Sequence, residues 1–525
     1  MKTILFFAFL VLSLNLGAID IPTVNYDSSR TNANGAEASL TPTNVAAGRV
    51  SLLGRWSTDG YVFAQPLVVT GVTVSGVLRN LLIAVTMNNS VYAFDADHPG
   101  VTVWSNLAFA TPYAGYPVAE AALYGVSQGC LSTPAADTSA LKLYVVCQNN
   151  TPNWILRSID LTTGSTLSSV TISGQVTGTG DPGDTTSGAN LVFNPGREFQ
   201  RVGITLANGN VYIGFAGLDD SRPYHGWVFA YTGSDFSQVG VWCGSPNSWG
   251  AGIWMSGGGI AVDGSGNLYV TTGNDGGYDG VTNFSESVVK LSPTLIVLDW
   301  FTPSNNSALD SADADVSSNR ALLIPGTTLA VVAGKDFNVY VIDTTCMGHL
   351  QGSSGCPLQT FKTNASGTPG PASGAYGMTF MNNVLYVPTT AGSLYAFTYS
   401  GGTFNATPLA TETTSYGTPG PAQIAGSING TSNGIIWVVT AAASAHATVR
   451  AGILHAWNPT TLAEYWNSST SGVDDLGNMT KFAAPVVANG RVYVSALDGG
   501  VAVYGLRTSA ESGGTATLGG SAVFR

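Results

Sequence analysis

A unit of roughly 40 to 55 residues repeats along nearly the whole chain, the period at which supersecondary blades stack or close. Each unit carries an apolar strand, a turn, a second strand rich in Tyr or Val, and a third that ends in an aromatic residue. LLIAVTMNNSVYAFDADHPGVTVW (81–104) and GNVYIGFAGLDDSRPYHGWVFAYTGSDFSQVGVW (209–242) follow this plan. So do GNLYVTTGNDGGYDGVTNFSESVVKLSPTLIVLDW (266–300), NVLYVPTTAGSLYAF (383–397) and GIIWVVTAAASAHATVRAGILHAWNPTTLAEYW (434–466). Hydrophobicity alternates with period two through these segments, and Asn-Gly, Gly-Asn and Asp-Gly pairs punctuate them. A composition of 65 Gly, 10% aromatic and only 10% charged residues suits many short strands and tight turns.

Inner strands are expected to begin near Tyr61, Gln128, Gln200, Trp254, Asn319, Tyr376, Gln423 and Lys481. The last unit (481–506) has no outer strand of its own, and VSLLGRW (50–56) can supply it. An open array would expose sheet edges or need capping repeats, which the chain lacks. The expectation is therefore all-β: an eight-bladed β-propeller of four-stranded blades, closed by an N-terminal strand that completes the last blade. The expected division is a signal peptide at 1–18, an extended segment at 19–47, the propeller at 48–507 and a Gly/Ser/Thr-rich tail at 508–525.

The N-terminal stretch reads as an export signal. Lys2 supplies a basic start, Ile4 to Leu14 is almost wholly apolar, and Gly17 and Ala18 offer small residues for cleavage. That run is shorter than the ~20 residues a membrane span needs. No later segment is long enough either, so a secreted or periplasmic protein without a membrane span is expected. The net charge of −12 argues against a nucleic-acid partner, whose phosphates demand a basic face.

Cys130 and Cys147 flank one hairpin and Cys346 and Cys356 flank a short Gly/Ser loop, so both pairs are disulfide candidates, with Cys243 single. The chain holds no Cys-x-x-Cys, which removes the c-type haem site and the usual zinc knuckle.

Several stretches resemble the quinoprotein (PQQ-repeat) alcohol dehydrogenase-like propellers. Ala456-Trp457-Asn458 leading to Trp466 and Ser158-Ile159-Asp160 with Gly164 look like degenerate copies of that family's tryptophan-docking motif. Ala93-Phe94-Asp95, Gly100 and Trp104 form a third copy, one residue longer. The resemblance implies that such tryptophans pack between neighbouring blades, and Trp56, Trp242 and Trp300 hold corresponding strand ends. DGYVFAQPL (59–67), RPYHGWVFAY (222–231), IWMSGGGIAVDGSGNLYVTTGN (253–274) and KFAAPVVANGRVYV (481–494) are similar to an exported subgroup of poorly defined activity. The pyrroloquinoline quinone alcohol dehydrogenases of the wider superfamily stack the cofactor between a Trp and a disulfide of two adjacent cysteines, and hold calcium with a Glu, an Asn and an Asp. This chain has no Cys-Cys pair.

If inner-strand starts cluster at one channel mouth, Tyr61, Gln65, Gln128, Arg201, Trp254, Ser256, Arg320, Tyr376, Gln423 and Lys481 converge there. Three cations among them suit an anionic ligand, and Trp254 and Tyr376 suit a ring. The bland account is that they solvate a water-filled channel. Asp313 and Asp315 in LDSADADV are the weak metal candidates, against a solvated loop. Lys335-Asp336 reads as an exposed ion pair in a turn, His225 as packing, and the DGSGN run from Asp263 as a turn. No nucleophile motif stands out, so no catalytic residue is assigned.

The expected function is a non-catalytic propeller that binds a small molecule, a glycan or a protein at its mouth or rim, with no cofactor. The alternative is an oxidoreductase acting on an alcohol or sugar, with pyrroloquinoline quinone and calcium.

Overall fold

The computed structural model describes residues 18–507, except 115–126, 352–355, 357, 365, 414–421 and 442–447. The expected signal peptide, up to residue 17, and the tail at 508–525 lie outside the described residues. The fold is all-β. Among the described residues, eight sheets of four or five strands follow one another along the chain, with one further three-stranded sheet, and none closes on itself as a barrel. The first sheet consists of Leu67–Val74, Val77–Val85, Val91–Asp95 and Thr102–Asn106, each antiparallel to the next. The eighth joins Val486–Ala488, Arg491–Ala496 and Gly500–Leu506 to Val50–Ser57, so strands from opposite ends of the chain share one sheet.

The period-two pattern has a direct use here. In Lys142–Gln148 of the second sheet, Leu143, Val145 and Cys147 pack against the first sheet, while Tyr144 and Val146 pack against the third. Every sheet is covered on both faces this way, which is why middle strands such as Asn210–Gly217 are buried almost end to end. Apolar clusters join each sheet to its successor. One more joins the eighth to the first, where Trp56 and Tyr493 meet Phe94 and Leu82.

Trp104 ends the first sheet and reaches across to the second. Its Nε1 donates to the Leu161 carbonyl at 2.8 Å. Its ring lies where a Cβ on Gly164 would stand, 2.5 Å away, and Gly164 has φ +74°. The docking role implied by the resemblance is thus realised between these two sheets.

The first regular strands begin at Leu67, Ala135, Thr205, Ala261, Leu322, Thr379, Gln423 and Val486. Most lie several residues beyond the expected starts, although a short pair at Glu198–Phe199 precedes Thr205. The intervening residues are not extended: Met255 (φ 48°), Ser256 (φ 44°) and Phe482 (φ 67°) are left-handed, a conformation no strand continues through.

Cys130–Cys147 and Cys346–Cys356 are disulfides, and Cys243 is free and buried. No helix among the described residues is long and apolar enough to cross a membrane.

Candidate functional site

The residues that precede the inner strands line a cavity of about 170 Å³ that opens to solvent. Arg201, Trp254, Ser256, Tyr376 and Lys481 all line it, and so do Asp313 and Asp315. Non-glycine residues with positive φ concentrate here: Asp219 (55°), Asp220 (52°), Ser256 (44°), Asp313 (51°) and Phe482 (67°) all contribute to the wall. Left-handed backbone costs energy at any residue with a Cβ and gathers at sites where side chains are aimed for use.

One wall is aromatic and cationic. The Arg201 guanidinium carbon lies 4.3 Å from the Phe482 ring centre, 5.2 Å from Trp254 and 5.8 Å from Phe199. Such stacking holds a cation without neutralising it. Among the described residues no carboxylate pairs with Arg201, and its Nε has no hydrogen-bond partner. Lys481 Nζ stands 5.8 Å from the Phe482 ring, and Tyr376 packs on the same ring at 6.1 Å. The Tyr376 hydroxyl donates to the Pro371 carbonyl at 2.9 Å, and burial pushes its pKa up to about 12.

The opposite wall is acidic with an internal counter-charge. Lys335 Nζ donates to Asp313 Oδ1 at 3.0 Å and to its carbonyl at 3.1 Å, and forms an ion pair with Asp315. Lys335 is buried and paired with these two residues, which corrects its reading as an exposed partner of Asp336. Asp336 instead accepts from the Asn338 amide and the Tyr340 hydroxyl. Burial opposes the Lys335 charge, but Asp315, Tyr376 and Asp313 outweigh it and hold the ammonium above the ordinary lysine range. Burial, followed by the Asp315 charge, raises the Asp313 carboxyl to about 6.

Behind this wall lies a layer of shielded carboxyls. The Asn274 amide donates to Asp315 Oδ1 at 3.1 Å and the Val316 amide to Glu286 Oε2 at 2.6 Å. Glu286 is fully buried and held well above the carboxylate range by desolvation and then by Asp315. Desolvation likewise lifts Asp275 to about 7 and Asp310 to about 6.

Five other sequence candidates lie outside the cavity. Tyr61 is on the surface against Phe63, and Gln128 is buried, with its backbone bridged to Tyr113. Gln65 accepts from the Asn25 amide at 3.1 Å. Arg320 donates to the carbonyls of Arg30 and Met378. Gln423 begins an inner strand, and its Nε2 donates to the Tyr376 carbonyl at 3.3 Å. Sequence reasoning missed Phe199, Phe482, Asp219, Asp220 and Lys335; only the Asp-Asp-Ser turn signal at 219–221 pointed to any of them.

His225 is buried, with Nε2 2.9 Å from Asp184 and Nδ1 3.1 Å from the Ser245 carbonyl. It ties the loop before the three-stranded sheet's second strand to the third sheet. Asp263 accepts from the amides of Ser265 and Asn267, a turn closed on itself.

No family model matches the chain, and no curated protein matches it. Solved structures do. The quinohemoprotein alcohol dehydrogenase ADHIIG from Pseudomonas putida HK5 superposes with TM-score 0.57 at 15% identity, over 96% of this chain and 82% of that one. The quinohemoprotein alcohol dehydrogenase from Comamonas testosteroni gives 0.55 at 15% identity, over 93% and 80%. The fold is that of the quinoprotein β-propellers. A europium-containing methanol dehydrogenase matches it as well, with TM-score 0.57 at 13% identity over 93% of this chain and 98% of that one. At such identities the quinoprotein likeness is one of fold alone, and the chemistry rests on the cavity.

Proposed function

We propose that the eight sheets are the blades of one closed propeller, completed by Val50–Ser57, and that this exported propeller binds a flat, anionic small molecule without transforming it. The seam between the eighth and first sheets supports the closed ring. The two disulfides support an oxidising compartment, and with it cleavage after residue 18 ahead of a propeller body at 48–507.

The observation that carries the ligand assignment is Arg201: an arginine with no carboxylate partner among the described residues, bracketed by three aromatic rings and facing a cavity shared with Lys481. A planar acid offers what this wall lacks, an anion for the guanidinium and a ring face for Trp254. The test is thermal unfolding of the mature protein with a panel of aromatic polycarboxylates. A ligand at saturating concentration raises Tm by on the order of 3 °C in the wild type and leaves Arg201→Met unmoved. Failure of every anionic ring to shift Tm sinks the assignment.

A second reading is favoured by the fold likeness to proteins named as alcohol and methanol dehydrogenases: a quinone-dependent oxidoreductase acting on an alcohol or sugar. A flat quinone acid suits the Arg201 wall. Calcium does not suit the opposite one, because Lys335 Nζ already bonds both Asp313 and Asp315 and supplies the positive charge between them. Cys130–Cys147 belongs to the apolar cluster between the first and second sheets, and neither it nor Cys346–Cys356 is among the described residues that line the cavity. The residues therefore fit the ring but not the metal, and no redox step is derived.

A further inference from the structure

The segment that precedes Val50–Ser57 touches each of the eight larger sheets, and does so nearly in chain order. Ile21 exchanges backbone hydrogen bonds with Val68 of the first sheet at 2.8 and 3.1 Å, and the Pro22 carbonyl accepts from Ala136 of the second at 2.8 Å. Arg30 Nη2 donates to Thr205 Oγ1 of the third at 2.7 Å. The carbonyls of Ser28, Ser29, Thr31 and Asn32 accept from Val262, Leu323, Phe380 and Gly426, the fourth to seventh sheets, each at 2.9 Å. Asn34 Nδ2 then donates to the Val487 carbonyl of the eighth at 3.0 Å. All eight partners belong to the innermost strand of their sheet.

An innermost strand is an edge, and its outward amides have no neighbour within the sheet. A single stretch of fewer than twenty residues meets eight such edges only if they surround one axis and it makes one turn about that axis. Arg30 anchors the circuit. It is 1% exposed and spends its donors on the carbonyls of Ile260, Val24 and Asp27 and on Thr23 and Thr205. Arg320 and Gln65 hold the segment from outside, through the Arg30 carbonyl and the Asn25 amide. The partner residues lie in the inner strands, which Arg201, Trp254, Tyr376 and Phe482 precede, so the circuit runs beneath the cavity. Asn25 meets the Gly259 amide there, three residues beyond the cavity-lining Ser256.

We infer that residues 19–37 are an axial plug: this segment occupies the inner surface of the ring, latches all eight sheets and seals the channel below the ligand cavity, which is left with a single mouth. The inference rests on the closed-ring reading. It replaces the water-filled channel with packed chain, and it gives Arg320 and Gln65 a latching role in place of ligand contact.

Hydrogen exchange of the full mature protein, read by mass spectrometry, tests it. The amides of Ala136, Val262, Leu323, Phe380 and Gly426 are expected to exchange as slowly as those paired between Val50–Ser57 and Gly500–Leu506. In Arg30→Met the five are expected to speed up together by about tenfold or more, with the seam amides unchanged. Thr205→Val, which removes one anchor bond, gives a milder version of the same pattern should Arg30→Met not fold. Five fast amides in the wild type beside a protected seam would overturn the plug and leave the ring standing. A seam as fast as the five would overturn the ring itself. Loss of protection one sheet at a time, or none in either variant, would overturn the latch.

Discussion

Arg201 and Asp275 show how burial sets the character of single residues. Arg201 stands among aromatic faces, and among the described residues no carboxylate pairs with it. Arg201→Met is expected to weaken binding of an aromatic polycarboxylate by about 100-fold, ~2.7 kcal/mol, as measured by titration calorimetry. Asp275 is the reverse case, a carboxyl that desolvation keeps protonated up to about pH 7. An unfolded aspartate titrates near 4. The folded state therefore binds the extra proton between about pH 4 and 7, and its stabilising effect is whole below that window and lost as pH rises through it. Asp275→Asn is expected to flatten the fall in stability across that window, by on the order of 4 kcal/mol in total, in Tm measured against pH. Arg201, Trp254, Tyr376 and Lys481 were visible in the sequence because they stand near the starts of repeats, while Phe199 and Phe482 were passed over. Lys335 was not, since nothing in Gly-Lys-Asp at 334–336 distinguishes an exposed turn from one folded against Asp313 and Asp315.

The strand patterns were legible because each middle strand feeds two neighbours, and both faces leave an apolar trace, as in Leu143 and Val145 against Tyr144 and Val146. The onset of the inner strands was not legible. The run Ile253 to Gly257 carries strand-like side chains, but Met255, Ser256 and Gly257 have left-handed backbone that no pattern of side chains announces. Trp104 and Gly164 mark a junction where element meets element. Gly164→Ala places a Cβ at 2.5 Å from the Trp104 ring on a residue at φ +74°, and a loss of about 2 kcal/mol is expected, read as a lowered Tm with binding intact. The Cys130–Cys147 link, with 17 residues of separation, contributes about 3 kcal/mol in the loop-entropy account. A double Cys→Ser variant is expected to lose that much in denaturant unfolding and to keep the cavity's affinity.

On the scale of the molecule, the repeat period and the missing outer strand of the last unit were enough to pair the two ends of the chain, and Val50–Ser57 does lie on Gly500–Leu506. The circuit of residues 19–37 left no trace in the sequence, because its bonds are mostly backbone carbonyls and any polar segment supplies those. Trp56 packs between the eighth and first sheets, 5.9 Å from Phe94 and 6.0 Å from Tyr493. Trp56→Ala is expected to cost about 3 to 5 kcal/mol, with loss of exchange protection first between the eighth and first sheets. The central claim, a propeller that binds an anionic ring at Arg201 without turning substrate over, meets its most direct test in titrating the mature protein with pyrroloquinoline quinone, with and without calcium, while following Tm and dye reduction over a panel of alcohols and sugars. The account predicts stabilisation that depends on Arg201, is indifferent to calcium and brings no dye reduction. Calcium-dependent turnover, or no stabilisation at saturating quinone, would contradict it.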